Sequence, residues 1–191
     1  NLIIGHLKTR TDPVKQAPAL SIGFLRMLEK GFHEHKDTID GTALICGMWL
    51  FMITTSLRFA DALCIKPWTL QLTWVNLEGD VSPMVKCLCW KSKPDQLGKR
   101  GHIACPDLFV GESWLVEFFE LYMSSVHENA DFFLPWLDYQ STGGGRVVID
   151  MSRPAEYKPS IEASKAVFRN LMYEQEGYLS AAEIEILVWH S

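Results

Sequence analysis

The stretch from Gly41 to Cys64 reads GTALICGMWLFMITTSLRFADALC, and the rest of the chain is organised around it. Between Ala43 and Ile53 it has no charged residue, which predicts a helix that is buried on all sides. Arg58 and Asp61 then follow three residues apart, a spacing that places two side chains on one face of a helical turn. The stretch therefore predicts a buried helix that holds one cation, Arg58, at a fixed position just after its end.

Two interpretations of Arg58 are open on this evidence. An arginine just after an apolar helix commonly interacts with the dipole at the end of that helix and pairs with a nearby acid, here Asp61. The other interpretation is a functional cation. Spacing alone favours the local pair.

The composition is that of a globular protein without a disulfide framework. The 191 residues are 48% hydrophobic and 21% charged, which suffices for a sizeable core. The apolar run is shorter than the roughly 20 residues of a membrane span, so a core helix is predicted and no membrane partner is expected. The N-terminal sequence lacks the pattern of a signal peptide. Five cysteines without regular spacing indicate a reducing, intracellular compartment and predict neither a metal site nor a cofactor.

The net charge of −5 argues against general coating of nucleic acid, because nonspecific DNA affinity comes from neutralising phosphates. Positive charge is nevertheless concentrated in one segment, where a single acid, Asp95, accompanies five cations. The candidate DNA-binding cations are Lys86, Lys91, Lys93, Lys99 and Arg100. This segment predicts a local basic surface on an otherwise acidic chain.

The order of predicted elements gives a mainly α fold with a small three-stranded antiparallel sheet. Residues 1–17 indicate a linker from an upstream region. Ser21 caps a first helix that stops near Gly31, and Asp37 or Thr38 opens the long apolar helix. The runs LQLTWVNL, MVKCLCWKS and KRGHIACP predict three strands, and KSKPDQLGKRG forms the tip between the second and third.

The second half of the chain predicts three further helices. One begins at Glu112 or Ser113 and ends near His127. DFFLPW, residues 131–136, predicts a short buried extended piece, and STGGGRVVIDMSRP predicts a loop. Ser160 caps a helix that runs to about Glu176, with Gly177 as its stop. Ser180 and Glu183 form a capping box for the last helix.

The phrase TTSLRFADAL resembles the first conserved box of the tyrosine recombinases, the phage-integrase family. In that family a T-G-L-R-x-x-E-L phrase closes a buried helix. The residues that fall on this pattern are Thr55, Leu57, Arg58, Asp61 and Leu63. Ser56 stands where the family usually has glycine, and Asp61 stands where it more often has glutamate.

The resemblance implies a set of catalytic roles in breaking and rejoining DNA strands. A tyrosine attacks the phosphodiester, cations stabilise charge on the non-bridging oxygens, and a general acid protonates the leaving 5′ oxygen. Arg58 would be the first cation, with Asp61 in support. Lys93 resembles the general-acid lysine, and Lys91 is the alternate because the strand register is open. The ending EIEILVWHS resembles the start of an H-x-x-R box, so His190 would assist proton transfer.

The family's second arginine and its nucleophilic tyrosine follow the second box. All five tyrosines of this chain precede His190, so residues 18–191 are expected to be a partial catalytic domain that is inactive alone. The resemblance implies a site-specific recombinase or integrase of mobile-element type that binds double-stranded DNA and self-associates on it. It would act where DNA is, in the nucleus of a eukaryote or the cytoplasm of a bacterium. The alternative is a degenerate or domesticated copy that binds DNA or a protein without catalysis.

Overall fold

The computed structural model describes residues 21–38, 41–77, 79–90, 101–126, 130–140, 146–174 and 184. These residues form five α-helices, a three-stranded antiparallel sheet and a two-stranded antiparallel sheet. The predicted class, mainly α with a small antiparallel sheet, is confirmed for this part of the chain.

The first helix, α1, spans Ile22–His35, and its start was predicted correctly. The Ser21 side chain accepts a hydrogen bond of 3.1 Å from the backbone N–H of Phe24, which satisfies one free donor of the first turn. The predicted stop at Gly31 is wrong. A Cβ on Gly31 would lie only 2.7 Å from a methyl carbon of Leu171, so this glycine allows close packing inside the helix rather than ending it.

The apolar stretch forms helix α2, Thr42–Thr54, at the centre of the molecule. All its residues from Thr42 to Met52 are buried, as the absence of charge predicts. The helix begins later than the predicted Asp37 or Thr38. Gly41 precedes it with φ at +76°, a left-handed conformation that glycine adopts without a steric penalty. The start of α2 is therefore set by the backbone conformation of Gly41 and not by a side-chain cap.

The three predicted strands are present as β1 (Gln71–Leu77), β2 (Asp80–Cys89) and β3 (Gly101–Pro106), in the order β1-β2-β3. Leu72 lies opposite Val85, which lies opposite Cys105 on the other side. Because side chains alternate along a strand, this register gives the sheet one core face and one solvent face. The core face carries the buried residues Val85, Cys87, Cys89 and Cys105.

The prediction of a loop for the whole of STGGGRVVIDMSRP is wrong. Strands β4 (Pro135–Gln140) and β5 (Arg146–Pro154) form a separate two-stranded sheet. The β-branched run Val147 to Ile149 favours extended structure, and the side chain of Val147 is buried. Residues 141–145 lie outside the described part of the chain. For the buried extended piece predicted at 131–136, burial is confirmed for Phe133, Leu134 and Pro135, but Phe133 and Leu134 form a bend and the strand begins at Pro135.

Helix α4 spans Leu115–Ser125, and helix α5 spans Tyr157–Glu174. The start of α4 was predicted two or three residues too early, and Ser160 lies inside α5 instead of capping it. Helix α5 packs on β4 and is tied to α2, where the indole N–H of Trp49 donates to the Ser164 hydroxyl at 2.9 Å. The predicted stop at Gly177 and the capping box at Ser180 and Glu183 lie outside the described residues.

No helix in the described residues has the length and apolarity that crossing a membrane requires.

Candidate nucleic-acid interface

The end of α2 is built from backbone hydrogen bonds that turn the chain sharply. The N–H of Ser56 donates to the carbonyl of Ile53 at 3.0 Å, and the N–H of Leu57 donates to the carbonyl of Met52 at 2.9 Å. This pair of bonds is the Schellman arrangement, which satisfies carbonyls that a helix end leaves free. Leu57 packs against the core beside it. Helix α2 therefore ends in a defined backbone geometry just before Arg58.

Ser56 adopts φ of +53°, in the left-handed region, and is the one non-glycine residue with positive φ among those described. This is the position at which the tyrosine recombinases usually have glycine. A side chain raises the energy of this conformation by about 1 to 2 kcal/mol. The structure thus explains why glycine suits the position and why serine is tolerated there only at a cost.

We expect Ser56→Gly to stabilise the protein by about 0.5 to 1 kcal/mol, because relief of the left-handed strain exceeds the added freedom of the unfolded chain. The measurement is urea unfolding followed by circular dichroism. Thr55→Gly is the matched control: Thr55 has φ of −89°, and its hydroxyl donates to the Phe51 carbonyl, so this change should destabilise. A lower urea midpoint for Ser56→Gly would contradict the expectation.

Arg58 lies on the surface as the N-cap of the short helix α3, Phe59–Leu63. Its backbone is extended (φ −78°, ψ 156°), so it precedes the helix, whereas Asp61 lies in the first turn. The two residues therefore occupy the N-cap and third helical positions, which are neighbours on the first turn, as the spacing of three predicts. The Asp61 N–H donates to the Arg58 carbonyl at 3.0 Å, but no ion pair joins the two side chains in the described part of the chain.

The far end of α3 is joined to the end of β2. The N–H of Trp90 donates to the Cys64 carbonyl at 2.8 Å, and Ile65 forms a bridge with Cys89. The Cys89 thiol also donates to the Asp61 carbonyl at 3.2 Å. Since a helix rises about 1.5 Å per residue, Arg58 is only about 9 Å along the helix axis from Cys64.

Trp90 and Gly101, the described residues on either side of the segment 91–100, consequently lie near the end of α3. The chain leaves the described structure after Trp90 and returns at Gly101, which lies opposite Cys89 in the sheet. The candidates Lys91, Lys93, Lys99 and Arg100 belong to this segment and lie outside the described residues, so their proposed roles stay predictions. Lys86 is described, and its side chain is exposed on the solvent face of β2.

His190 also lies outside the described residues, so its role in proton transfer stays a prediction. The nearest described residue in sequence is Ile184, which is helical and completely buried in the core. Arg58 is not among the residues that line the two cavities described in this structure.

Tyr122 is fixed in the core and cannot serve as an exposed nucleophile. It is 1% exposed, and its hydroxyl donates to the Phe133 carbonyl at 2.9 Å. Burial also raises the pKa of the Tyr122 hydroxyl far above its usual value. The phenolate that would attack phosphorus is therefore strongly disfavoured here.

The cysteines of the sheet are free thiols, and burial raises the pKa of Cys87 to about 12. A thiol that remains protonated is a poor metal ligand, because metals bind the thiolate. Within the described ranges, no three His, Cys, Asp or Glu side chains are grouped closely enough to hold a metal ion.

Sequence reasoning missed an aromatic pair beside this site. Trp68 and Trp90 have ring centroids 6.4 Å apart, and Trp68 is 61% exposed. Both tryptophans are visible in the sequence, but 22 positions separate them, and contacts between distant residues, such as the bond from Trp90 to Cys64 and the bond from Leu88 to Thr69, bring their segments together.

Comparison with known proteins found likeness in structure alone. No protein-family model matches the chain, and no curated protein sequence matches it. Among solved structures, it is similar to "FLP Recombinase-Holliday Junction Complex I", with 14% identity and a TM-score of 0.43 over 88% of this chain and 39% of the other. It is likewise similar to "Flpe-Holliday Junction Complex", with 13% identity and a TM-score of 0.44 over 88% of this chain and 40% of the other. Likeness at this level assigns no residue role to the chain, which spans about two fifths of each neighbour.

Proposed function

We propose that this chain is part of a DNA strand-breaking and rejoining enzyme of the tyrosine-recombinase type. The observation that carries the proposal is the end of α2. Helix α2, which is buried from Thr42 to Met52, ends in a Schellman turn. Ser56 occupies the position in this turn where the family usually has glycine, and Arg58 follows it on the surface. The sequence phrase that resembles the family's first box therefore has a backbone that suits the family's residues.

The proposed chemistry gives each candidate a separate task. In a longer form of the protein that carries a tyrosine after His190, that tyrosine attacks the phosphorus, and the bond from phosphorus to the 5′ oxygen breaks. Arg58 stabilises charge on the non-bridging oxygens, and Lys93, or Lys91 in its place, gives a proton to the leaving 5′ oxygen. His190 binds the phosphate and assists proton transfer. Asp61, in the first turn of α3, orients one of these catalytic side chains.

The positions of the described residues on either side of the basic segment support this arrangement. A general acid on the segment 91–100 has to reach the phosphate that Arg58 contacts, and Trp90 and Gly101, which flank that segment in sequence, lie near the end of α3. The proposed partner is double-stranded DNA, with self-association on it, and the proposed location is wherever the DNA is in the cell. Integration and a mobile-element origin belong to the same proposal.

A second candidate is a DNA-binding or protein-binding relative without catalysis. The net charge of −5 and the strained serine at position 56 favour it. The two functions differ in one result: in a longer protein, the enzyme forms a covalent link to a nicked DNA substrate, whereas the binder forms none. The 191-residue chain alone is expected to form no such link.

The test of DNA binding is the simultaneous change of Lys91, Lys93, Lys99 and Arg100 to alanine. We expect duplex affinity to fall at least about tenfold and the slope of log affinity against log salt to flatten by up to about 3.6, since each phosphate contact contributes about 0.9. Fluorescence anisotropy of a labelled duplex at several salt concentrations gives both values.

The matched control removes four cations elsewhere, Arg26, Lys30, Lys36 and Lys158, and thereby changes the net charge equally. Arg26 and Lys30 lie on α1, Lys36 is the residue that follows the C-terminal end of α1, and Lys158 lies on α5. If both variants lose the same affinity, the effect is one of net charge, and the basic segment has no special part in binding.

A further inference from the structure

The solvent face of the three-stranded sheet has an uneven distribution of charge. The register places Lys86 between Gln71 and Ala104, and His102 opposite Leu88. The side chains of Lys86 and His102 are exposed. The single carboxylate within the described residues of these three strands is Asp80, at the other end of β2 and about 20 Å from Lys86 at the usual rise per residue. The end of the sheet near α3 is therefore basic.

An exposed aromatic surface lies at this basic end. By alternation along the chain, Trp90 follows Lys86 and Leu88 on the solvent side. The Trp68 ring lies against Trp90, with a centroid distance of 6.4 Å and an angle of 53° between the ring planes. Trp90 is half-buried, whereas Trp68 is 61% exposed. Trp68 thus offers a large aromatic surface to solvent with a second ring behind it.

The backbone beneath Trp68 is held firmly. Trp68 lies in a single 3₁₀ turn, Pro67–Thr69. The Leu88 N–H donates to the Thr69 hydroxyl at 3.0 Å, and that hydroxyl donates to the Lys66 carbonyl at 2.7 Å. The ammonium group of Lys66 in turn donates to the Asp131 carbonyl at 2.9 Å. An exposed aromatic side chain on a fixed backbone loses little conformational freedom when a ligand stacks on it.

An exposed aromatic ring on an open sheet face that also carries a lysine fits unpaired nucleic-acid bases. Each base has an apolar face that can stack on tryptophan, while the phosphates that follow it require positive charge. In an intact duplex the base faces already cover one another, so Trp68 would gain little from it. A protein partner would need an apolar surface of several hundred Å², whereas this face of the sheet carries the polar side chains of Gln71, Lys86 and His102.

We propose that Trp68, backed by Trp90 on the sheet face that also carries Lys86 and His102, stacks on an unpaired base of the DNA substrate. The inference rests on the proposed function, because it takes DNA as the ligand. It adds that the protein prefers DNA in which bases are unpaired, such as a single-stranded, gapped or branched site.

The experiment measures the binding of the 191-residue chain to an oligothymidylate of about 12 nucleotides and to a blunt duplex of the same length. Trp68→Ala should weaken binding of the single strand about tenfold and leave duplex binding unchanged. Trp68→Phe should retain most of the affinity, because a smaller aromatic ring still stacks. The single strand should also quench the tryptophan fluorescence of the wild type more than that of Trp68→Ala.

Trp74→Ala is the matched control. Trp74 is also 61% exposed, but the register places it on the opposite face of the same sheet. The Trp74→Ala variant should therefore bind the single strand as the wild type does. Thermal melting of each variant shows that it is folded, and Trp68→Phe provides a reading even if Trp68→Ala is unstable.

The results separate failure of this inference from failure of the proposed function. If duplex binding depends on the basic segment but Trp68→Ala binds the single strand normally, base stacking is overturned and the proposed function stands. If neither DNA binds, both are overturned, and Trp68 is better explained as a contact for a protein. Equal losses for the two DNAs, or for Trp68→Ala and Trp74→Ala, also overturn base stacking.

Discussion

Arg58→Ala is expected to slow DNA strand cleavage about 10²- to 10³-fold in a longer form of the protein that carries the nucleophilic tyrosine. That is the usual loss when one group that stabilises transition-state charge is removed. Arg58 is exposed, and its side chain makes no capping hydrogen bond to α3, so folding stability should change by less than about 0.5 kcal/mol. Rate and stability would thus respond very differently to one substitution.

This difference distinguishes the two interpretations of Arg58. A charge that served only the dipole at the end of α2 would contribute about 0.3 to 1 kcal/mol to stability and nothing to the cleavage rate. Arg58→Lys adds a further comparison. Lysine keeps the charge but loses the planar, two-pronged hydrogen bonding of the guanidinium group, so an intermediate rate is expected.

The measurement is single-turnover cleavage of a nicked DNA substrate, together with urea unfolding of the same variants. Arg26→Ala is the control, because Arg26 is also exposed but lies on α1. A cleavage rate for Arg58→Ala equal to that of the wild type would remove Arg58 from the proposed site and favour the binding protein without catalysis.

The elements that could be predicted from the sequence are those fixed by neighbours along the chain. The cap at Ser21 and the burial of α2 follow from local pattern, and both were confirmed. The three strands also follow from short alternating runs. The sheet of β4 and β5 was missed because glycine, serine and proline around Val147 to Ile149 indicate a loop, while burial of Val147 against the core favours a strand.

The candidate site likewise has one part that the local sequence predicts and another part that depends on contacts between distant segments. Arg58 could be found because the residues that position it are adjacent in sequence. The junction between Cys64 and Trp90 could not, because it depends on how α3 meets the end of β2. The stacking of Trp68 with Trp90 follows from that junction and was equally hidden. Contacts between distant segments are decided by packing of the whole fold, to which no local pattern corresponds.

The buried Glu29 on α1 is another feature that the sequence did not indicate. Its side chain is 3% exposed, and its two carboxylate oxygens accept hydrogen bonds of 2.6 Å from the Val110 N–H and 2.7 Å from the Gly111 N–H. A third, longer bond of 3.4 Å comes from the Glu112 N–H. Glu29 therefore satisfies the backbone donors of the segment that leads into α4.

This contact has a structural cause in the segment itself. Asp107 accepts from the Ser113 hydroxyl at 2.6 Å and from the Leu115 N–H at 3.3 Å, and the Trp114 indole donates to the Leu108 carbonyl at 3.0 Å. These bonds fold the segment into a turn whose N–H groups point toward α1. They also explain why α4 begins at Leu115 and not at the predicted Glu112 or Ser113.

Glu29→Ala is expected to lower the free energy of unfolding by about 3 kcal/mol, because two or three backbone donors lose a charged acceptor and each such loss costs about 1 to 3 kcal/mol. Partial access of water to the exposed residues 110–112 keeps the sum below its upper limit. Glu29→Gln should cost about 2 kcal/mol: it keeps the shape, but its amide NH₂ replaces one acceptor and opposes a backbone N–H.

Urea unfolding measures both losses, and Glu34→Gln on the same helix is the control. Glu34 pairs with Lys30 at 3.6 Å, and both side chains are largely exposed, so its replacement should change stability by less than about 0.5 kcal/mol. Hydrogen exchange gives a local test, since the amides of Val110 and Gly111 should lose protection in Glu29→Gln. If Glu29→Gln unfolds at the wild-type midpoint and these amides stay protected, the carboxylate does not hold the segment that leads into α4.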